Sequence, residues 1–278
     1  MFIGVIFPVN VYPPLETLVS VQQKSGHRAP ATEQTEREQT MEFSDVLQQR
    51  RSIRAFSDTP VPEDVIDTLL TRALESPSWS NTQPYKVAVA RGAQVETLRR
   101  ALSQRFARVS TLQRAPAWKK LAAAVRGGVL PDGDFKPILK YPSDLQPRRV
   151  ATGHGLYNLL GIERGDHAAR DAQMARNFSF FDAPVALFIF AHKGLGAYSA
   201  LDAGIFLQSL MLAATDQGLG TCAQGALALW RSPVAAEFDI PADYQLLCGV
   251  SLGYPTDDPV NRYRPERRTV ADIKIPAR

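Results

Sequence analysis

A long apolar helix is the feature of this chain that most constrains its fold. The stretch that begins at Ser199 is apolar on more than one side, and such a helix needs burial on several sides. Its apolar residues include Leu201, Ile205, Leu210, Met211 and Leu212. The pattern therefore predicts a helix at the centre of the fold or in a dimer interface. Ser199 and Asp202 resemble a capping box at its start, and Gly218 is placed to end it.

Short apolar runs on either side of this helix predict β-strands. The strands are predicted over residues 85–90, 184–190, 219–223 and 244–252. Apolar residues at helical spacing predict further helices between them. These helices are predicted around 43–47, from Pro62, over 93–127, around 150–160 and 165–177, and near Pro233. Several strands separated by helices in this way predict one α+β domain.

The first 40 residues differ in composition from the rest of the chain. Residues 22–40 are polar and lack a periodic apolar stripe, which is typical of a flexible tail or of an arm that orders against a partner. The apolar side chains between Phe2 and Phe7 would be costly to leave exposed, so both alternatives stay open. We predict an N-terminal extension over residues 1–40 and a globular domain over residues 41–278.

Composition argues against several classes of function. The 278 residues carry a net charge of +4, which is compatible with an anionic ligand, but no basic stripe with interleaved aromatic residues indicates nucleic acid binding. The two cysteines and four histidines have no metal-ligand spacing. There is no run of about 18 apolar residues and no signal peptide pattern. We therefore expect a cytoplasmic protein without a metal or a membrane span.

The run Arg50-Arg51-Ser52-Ile53-Arg54 places three guanidinium groups and a hydroxyl within five residues. Fixed forks of N–H donors with a nearby hydroxyl are the groups that hold a phosphate monoester best. The same run also fits a solvated, positively charged helix end, because cations are favoured near a helix C-terminus. The sequence alone leaves both interpretations open. A second basic stretch, with Arg262, Arg264, Arg267 and Arg268, equally fits a solvated face.

Two further segments have the composition of a ligand site. Residues 76–84 form a turn-rich segment in which Ser78, Asn81 and Gln83 can donate and accept hydrogen bonds, as the polar edge of a flat heterocycle requires. Ordinary turn chemistry explains the same residues. Residues 218–225 are rich in small side chains that let a backbone approach a ligand closely, although the dinucleotide-binding spacing is absent.

Taken in order, these motifs resemble the nitroreductase family. RRSIR is followed by SPSWSNTQP, by GLGT and by GYP with PVN, and the resemblance covers residues 42–275. The loop from Lys140-Tyr141-Pro142 to Arg148-Arg149 resembles the branch of the nitrobenzoate reductases. The resemblance implies an α+β sandwich around a mixed or antiparallel sheet that is flanked by helices. It also implies an intertwined homodimer with two FMN molecules at the subunit interface.

The resemblance assigns cofactor-binding residues position by position. The matching residues are Arg50, Arg51, Ser52, Arg54, Ser78, Asn81, Gln83, Ala223, Gln224, Gly225 and Arg267. The first two arginines and Arg267 match the phosphate end of FMN, and Arg54 matches a position near N1 and O2 of the ring. The segment 78–83 is implied to meet the ring from the other subunit or edge, and 223–225 to lie beneath it near N5. Many relatives carry Glu-Gly there, so Gln224 departs from the pattern and removes a charge.

The implied activity is reduction of nitroaromatic compounds by NADH or NADPH, through nitroso to hydroxylamine or amine. The resemblance also implies that flavin N5 accepts a hydride and passes it to the second substrate in a ping-pong order. Water can supply the protons, so we assign no catalytic acid or base. Reductive dehalogenation and quinone or enone reduction are alternatives with the same cofactor. A flavin-binding protein without turnover is the alternative from a different class.

Overall fold

Four antiparallel strands form the sheet in the part of the chain that the computed structural model describes, which is residues 41–113, 116, 130–138 and 140–278. The strands are β1 (Tyr85–Arg91), β2 (Val185–His192), β3 (Gly220–Gln224) and β4 (Tyr244–Gly253). Their order across the sheet is β1-β2-β4-β3. A bulge lies between Ile189 and Phe190 of β2, opposite β4. All four strands agree with the predicted ones to within a few residues.

Helices precede and follow the strands along the chain. They are α1 (Phe43–Gln49), α2 (Glu63–Leu74), α3 (Ala93–Gln113), α4 (Gln146–Leu159), α5 (His167–Ala175), α6 (Ala197–Asp216), α7 (Ser232–Ala235) and α8 (Val270–Ile273). Short 3₁₀ turns cover Trp79–Asn81, Phe180–Asp182, Lys193–Leu195, Gly225–Leu229 and Pro259–Arg262. The predicted α+β class is confirmed, and the sheet of the described residues is antiparallel.

Strand β2 is buried on both faces, which explains its uninterrupted apolar sequence. Because successive side chains of a strand point to opposite faces, β2 contributes to two separate cores. Ala186, Phe188 and Phe190 pack with α3 and with the aromatic side chains of Phe178 and Trp230. The alternate residues of β2 pack with α2 and α6. The sheet is therefore the central layer of a sandwich between helices.

Helix α6 begins at Ala197, two residues before the predicted start, and the predicted capping box is wrong. The hydroxyl of Ser199 donates to the carbonyl oxygen of His192 (2.5 Å), and the carboxylate of Asp202 accepts from the backbone N–H of Trp79 (3.1 Å). Both side chains connect the helix to neighbouring segments and do not close its first turn. The prediction failed because both side chains bind groups outside the helix, and the partner of Asp202 lies 123 residues away in sequence.

The C-terminal end of α6 follows the prediction. Gly218 has a φ of +71°, its N–H donates to the carbonyl of Thr215 (3.0 Å), and the N–H of Leu219 donates to that of Ala214 (2.8 Å). These two bonds form a Schellman motif, which favours glycine at the left-handed position. The turn brings β3 back along the sheet directly after the helix.

Helix α6 also has the length and the apolar composition of a membrane span, with a mean hydropathy of 1.3, in contrast to the expectation from the sequence. Core helices of soluble proteins pass the same test. In this fold Ala203, Phe206 and Leu210 are buried against the sheet and α2. Leu201 and Tyr198, on the other side of the helix, are more than half exposed.

The loop before α4, which the structure describes over residues 131–138 and 140–145, is attached to the core at its beginning. Asp132 accepts a hydrogen bond from the N–H of Arg231 (2.8 Å), and Asp134 accepts one from the N–H of Leu246 (2.7 Å). This part of the loop therefore has a structural role. The predicted extension over residues 1–40, and the part of the predicted 93–127 helix that follows Gln113 (except residue 116), lie outside the described residues.

Candidate functional site

The segment Arg50–Arg54 runs beside β3, directly after α1. Ser52 forms a parallel bridge with Thr221, and the N–H of Ile53 donates to the carbonyl oxygen of Thr221 (2.9 Å). A Cβ atom on Gly220 would lie 2.6 Å from the side chain of Ile53. The missing side chain at Gly220 is therefore required by the approach of this segment. The glycine-rich stretch was predicted to let its backbone approach a ligand, and at Gly220 it lets the neighbouring segment Arg50–Arg54 approach instead.

An open pocket of about 310 Å³ lies between this segment and the segment that follows the Pro259–Arg262 turn. Five predicted cofactor-binding residues line it: Arg50, Arg51, Ser52, Arg54 and Arg267. The other lining residues are Leu47, Gln48, Thr152, Tyr263, Arg264 and Pro265. The structure therefore brings Arg267 to the RRSIR run from the far end of the chain.

The charged side chains that line this pocket are all positive. Burial, and then the charges of Arg267 and Arg264, lower the pKa of Arg50. Burial and the charge of Arg264 lower the pKa of Arg51 in the same direction. No carboxylate lines the pocket within the described part of the chain. Guanidinium groups held close together without a counter-charge are costly, and an anion that accepts several N–H bonds would offset that cost.

Backbone carbonyl groups fix two of these arginines. Arg51 Nε donates to the carbonyl oxygen of Asn261 (2.5 Å), and Arg264 donates to that of Gln48. Arg264, Tyr263 and Asn261 were not predicted as site residues. Arg264 belongs to the basic stretch noted in the sequence, but no local signal distinguished Tyr263, whose hydroxyl donates to the carbonyl oxygen of Thr152 (2.7 Å).

The segment predicted to meet a heterocycle lies elsewhere on the surface. The hydroxyl of Ser78 accepts from the backbone N–H of Gln83 (2.9 Å). The side-chain Nε2 of Gln83 donates to the side-chain Oδ1 of Asn81 (3.1 Å). Ser80, Asn81 and Gln83 have positive φ values of 51°, 54° and 46°, a conformation that costs energy for residues other than glycine. These side chains stabilise their own turn, yet Asn81 and Gln83 remain exposed. They do not line the arginine pocket of this chain.

The third predicted segment, residues 223–225, lies partly on the surface and partly in the core. Ala223 and Gly225 are exposed, whereas Gln224 is only 3% exposed. The Gln224 amide donates to the carbonyl oxygen of Asn177 (2.9 Å) and accepts from the hydroxyl of Ser251 (2.5 Å). Its side chain therefore faces the interior, and the exposed surface here consists of small residues.

Cys222 lies behind this surface, where its thiol interacts with Ser52 and Arg54. Burial raises the pKa of the Cys222 thiol to about 11, and the charge of Arg54 and the hydrogen bond of Ser52 only partly oppose that rise. The protonated thiol is a poor nucleophile. Within the described residues, no group of three His, Cys, Asp or Glu side chains could hold a metal ion.

The raised pKa predicts a pH dependence of stability. An unfolded cysteine releases its proton near pH 8.5, whereas the folded chain retains it until about pH 11. Because the folded state binds more protons in that range, the free energy of unfolding falls as the pH rises. We expect the Cys222 thiol to contribute a loss of roughly 2–3 kcal/mol between pH 8.5 and 11. Cys222→Ala removes this contribution, whereas that of the Cys248 thiol, whose pKa burial also raises, remains. Urea titrations of both proteins measure it, and equal pH slopes would contradict the burial of the thiol.

The sequence of this chain is similar to those of known nitroreductases. The model of the nitroreductase family matches residues 47–254. The chain is 32% identical over 241 residues to 4-nitrobenzoate reductase of Pseudomonas putida, which covers 85% of this chain and 92% of that protein. It is 33% identical over 217 residues to the chloronitrobenzene nitroreductase of Comamonas testosteroni, covering 76% and 86%. This chain belongs to the nitroreductase family.

Solved structures agree in fold. The FMN-dependent nitroreductase NfnB of Mycobacterium smegmatis, in complex with NADPH, superposes with a TM-score of 0.73 at 30% identity, covering 84% of this chain and 97% of that one. The FMN- and NADPH-dependent NfnB of a Sphingopyxis strain gives 0.72 at 30% identity, covering 85% and 99%. The predicted nitroreductase-like sandwich is confirmed.

Proposed function

We propose that this chain is an FMN-dependent oxidoreductase that reduces nitroaromatic compounds with NADH or NADPH. The observation that carries the proposal is the arginine pocket beside β3 in a member of the nitroreductase family. Arg50 and Arg51 are half-buried there, and Arg264 and Arg267 face the same space. A phosphate monoester suits such a set of planar N–H donors better than a neutral ligand does.

The residues present fit FMN in their chemistry. Arg50, Arg51 and Arg267 would hold the phosphate, and Arg54 would place a positive charge near the ring. The small exposed residues Ala223 and Gly225 would leave room for the ring on the same side of the domain. When bound, FMN supplies hydride transfer between a nicotinamide and a nitro group, and the protein supplies orientation and electrostatics. The two substrates are proposed to use one slot in turn.

The proposal includes an intertwined homodimer in the cytoplasm. Both ends of the described domain expose large apolar side chains: Phe43 is 69% exposed, Ile273 65% and Ile275 94%. Trp79 and Tyr198, whose ring centroids are 4.2 Å apart, add an exposed aromatic pair. Exposed apolar groups on terminal segments support packing on a second copy of the chain. Residues from that copy would complete the ring end of the site, where the segment 78–83 is placed by the resemblance.

The first test is spectroscopic and kinetic. The purified protein, or the protein reconstituted with FMN, is expected to be yellow, to release FMN on boiling, and to consume NADH or NADPH only when a nitroaromatic acceptor is present. Release of halide from a halogenated aromatic would favour the dehalogenase. Bound FMN without any turnover would favour a storage protein. A colourless protein that cannot be reconstituted with FMN would contradict the proposal.

A further inference from the structure

Asn261 is a buried polar residue in the turn Pro259–Arg262, and it contacts the RRSIR run that lines the arginine pocket. It is 3% exposed, and every polar atom of its side chain is used. Its Oδ1 accepts from the N–H groups of Arg54 (2.7 Å) and Ala55 (3.1 Å). Its Nδ2 donates to the carbonyl oxygens of Ala55 (2.8 Å) and Thr256 (2.9 Å). The amide therefore fixes the backbone at the end of the RRSIR run.

The main chain of Asn261 acts on the other end of the same run. Its carbonyl oxygen accepts from Arg51 Nε (2.5 Å) and so orients the guanidinium of a pocket-lining residue. One residue thereby holds the side chain of Arg51 and the backbone that carries Arg54. The turn of Asn261 is itself closed by Asp258, whose carboxylate accepts from the N–H of Val260 (2.8 Å).

We propose that Asn261 is a positioning residue of the phosphate pocket, which sets the placement of Arg51 and Arg54 for FMN. The inference rests on the proposed function, because it concerns the same site. Bidentate recognition of a phosphate depends on the orientation of each guanidinium fork, so a small displacement of the run loses contacts. No other natural side chain of this size donates twice and accepts twice in one plane, as the four contacts of this amide require.

A purely structural role for Asn261 makes a different prediction. If the amide only stabilises the fold, its removal lowers the melting temperature and leaves the affinity of the folded protein for FMN unchanged. If it positions the arginines, the affinity falls, and the loss depends on the presence of those arginines. A double-mutant cycle separates the two roles, because residues that act together give non-additive effects.

The experiment measures FMN binding to the apoprotein through the quenching of FMN fluorescence, well below the melting temperature of each variant. Asn261→Ala is expected to raise the Kd of FMN on the order of 10- to 100-fold. In the Arg51→Ala, Arg54→Ala background the same substitution is expected to raise Kd less than about 3-fold. Equal factors in both backgrounds, or an unchanged Kd in the folded single variant, would overturn the inference. Asn158→Ala, an exposed asparagine in α4, is the matched control.

Asp258→Ala is a second test, because it loosens the turn without altering the Asn261 amide. Loss of such a cap weakens a turn modestly, so the protein should fold. We expect Asp258→Ala to raise Kd about 3- to 10-fold, and this rise should also vanish in the background without the two arginines. If Asp258→Ala lowers the melting temperature but leaves Kd unchanged, Asn261 does not position the site. If the wild-type apoprotein fails to bind FMN, the proposed function fails first.

Discussion

Replacing Arg50 with alanine is expected to raise the Kd of FMN on the order of 100-fold, because a charge-assisted contact to the phosphate is lost from a half-buried position. The stability of the apoprotein, in contrast, should not be reduced by this substitution. Burial and the charges of Arg267 and Arg264 disfavour the charged form of Arg50. Removing this guanidinium relieves that repulsion, so the free energy of unfolding of the apoprotein should not fall.

Thermal or urea unfolding with and without FMN measures both effects in one experiment. At an FMN concentration of 100 times the wild-type Kd, binding stabilises the wild type by about 2.7 kcal/mol, and a 100-fold weaker variant gains only about 0.4 kcal/mol. Added salt should weaken FMN binding to the wild type more than to Arg50→Ala, because charges at an open pocket are screened.

The matched control is Arg100→Ala, which removes the same charge from an exposed position on α3 outside the pocket. It should leave the Kd of FMN within about 2-fold of the wild type, since distant surface charges are largely screened at physiological salt. If Arg100→Ala and Arg50→Ala weaken FMN binding equally, the pocket is not the phosphate site. A large loss of apoprotein stability in Arg50→Ala would show that the arginine serves the fold.

Local patterns predicted the strands well and the site only in part. The apolar sequence of β2 predicts a strand because both of its faces are buried, and this requires no knowledge of partners. The end of α6 at Gly218 is equally local. The proximity of Arg267 to the RRSIR run is not a local feature, because neither stretch of sequence indicates that the other lies beside it. Only the resemblance to a family predicted them to share a site, and in the structure Arg267 and four residues of the run line one pocket.

The errors and omissions share a physical cause. Ser199 and Asp202 satisfy a local capping pattern, but tertiary partners bind them. Asn261 gave no signal beyond its place in the sequence PVN, since three of its four side-chain hydrogen bonds are to Arg54 and Ala55, which are distant along the chain. Side chains whose roles are set by long-range hydrogen bonds are invisible to periodicity and composition.

Gln224 is the residue for which the structure changes the interpretation most. From the sequence it was a missing carboxylate beneath the flavin ring. In the fold its amide donates to the carbonyl oxygen of Asn177 and accepts from the hydroxyl of Ser251, in the interior beside β4. An ionised glutamate cannot donate to the Asn177 carbonyl, and its charge would be buried without a cation among these partners.

We therefore expect Gln224→Glu to lower the free energy of unfolding at pH 7 by about 3–5 kcal/mol. Burial should raise the pKa of the new carboxyl in the folded state above the unfolded value of about 4.3. The folded state then binds more protons between these two values, so the loss grows as the pH rises from about 4.3 and fades below it, where a protonated carboxyl can donate to Asn177. Urea titrations from pH 4 to 8 measure this dependence.

Two controls isolate the charge from the shape of the side chain. Gln224→Leu removes both hydrogen bonds without adding a charge, so its loss of stability should not depend on pH. Gln104→Glu adds the same charge at an exposed position on α3 and should change stability by less than about 0.5 kcal/mol.

If Gln224→Glu is as stable as the wild type at pH 7, the side chain at this position can leave the interior. A carboxylate that turns outward from β3 would face the surface of Ala223 and Gly225, and the residue at 224 would then belong to the ring end of the FMN site.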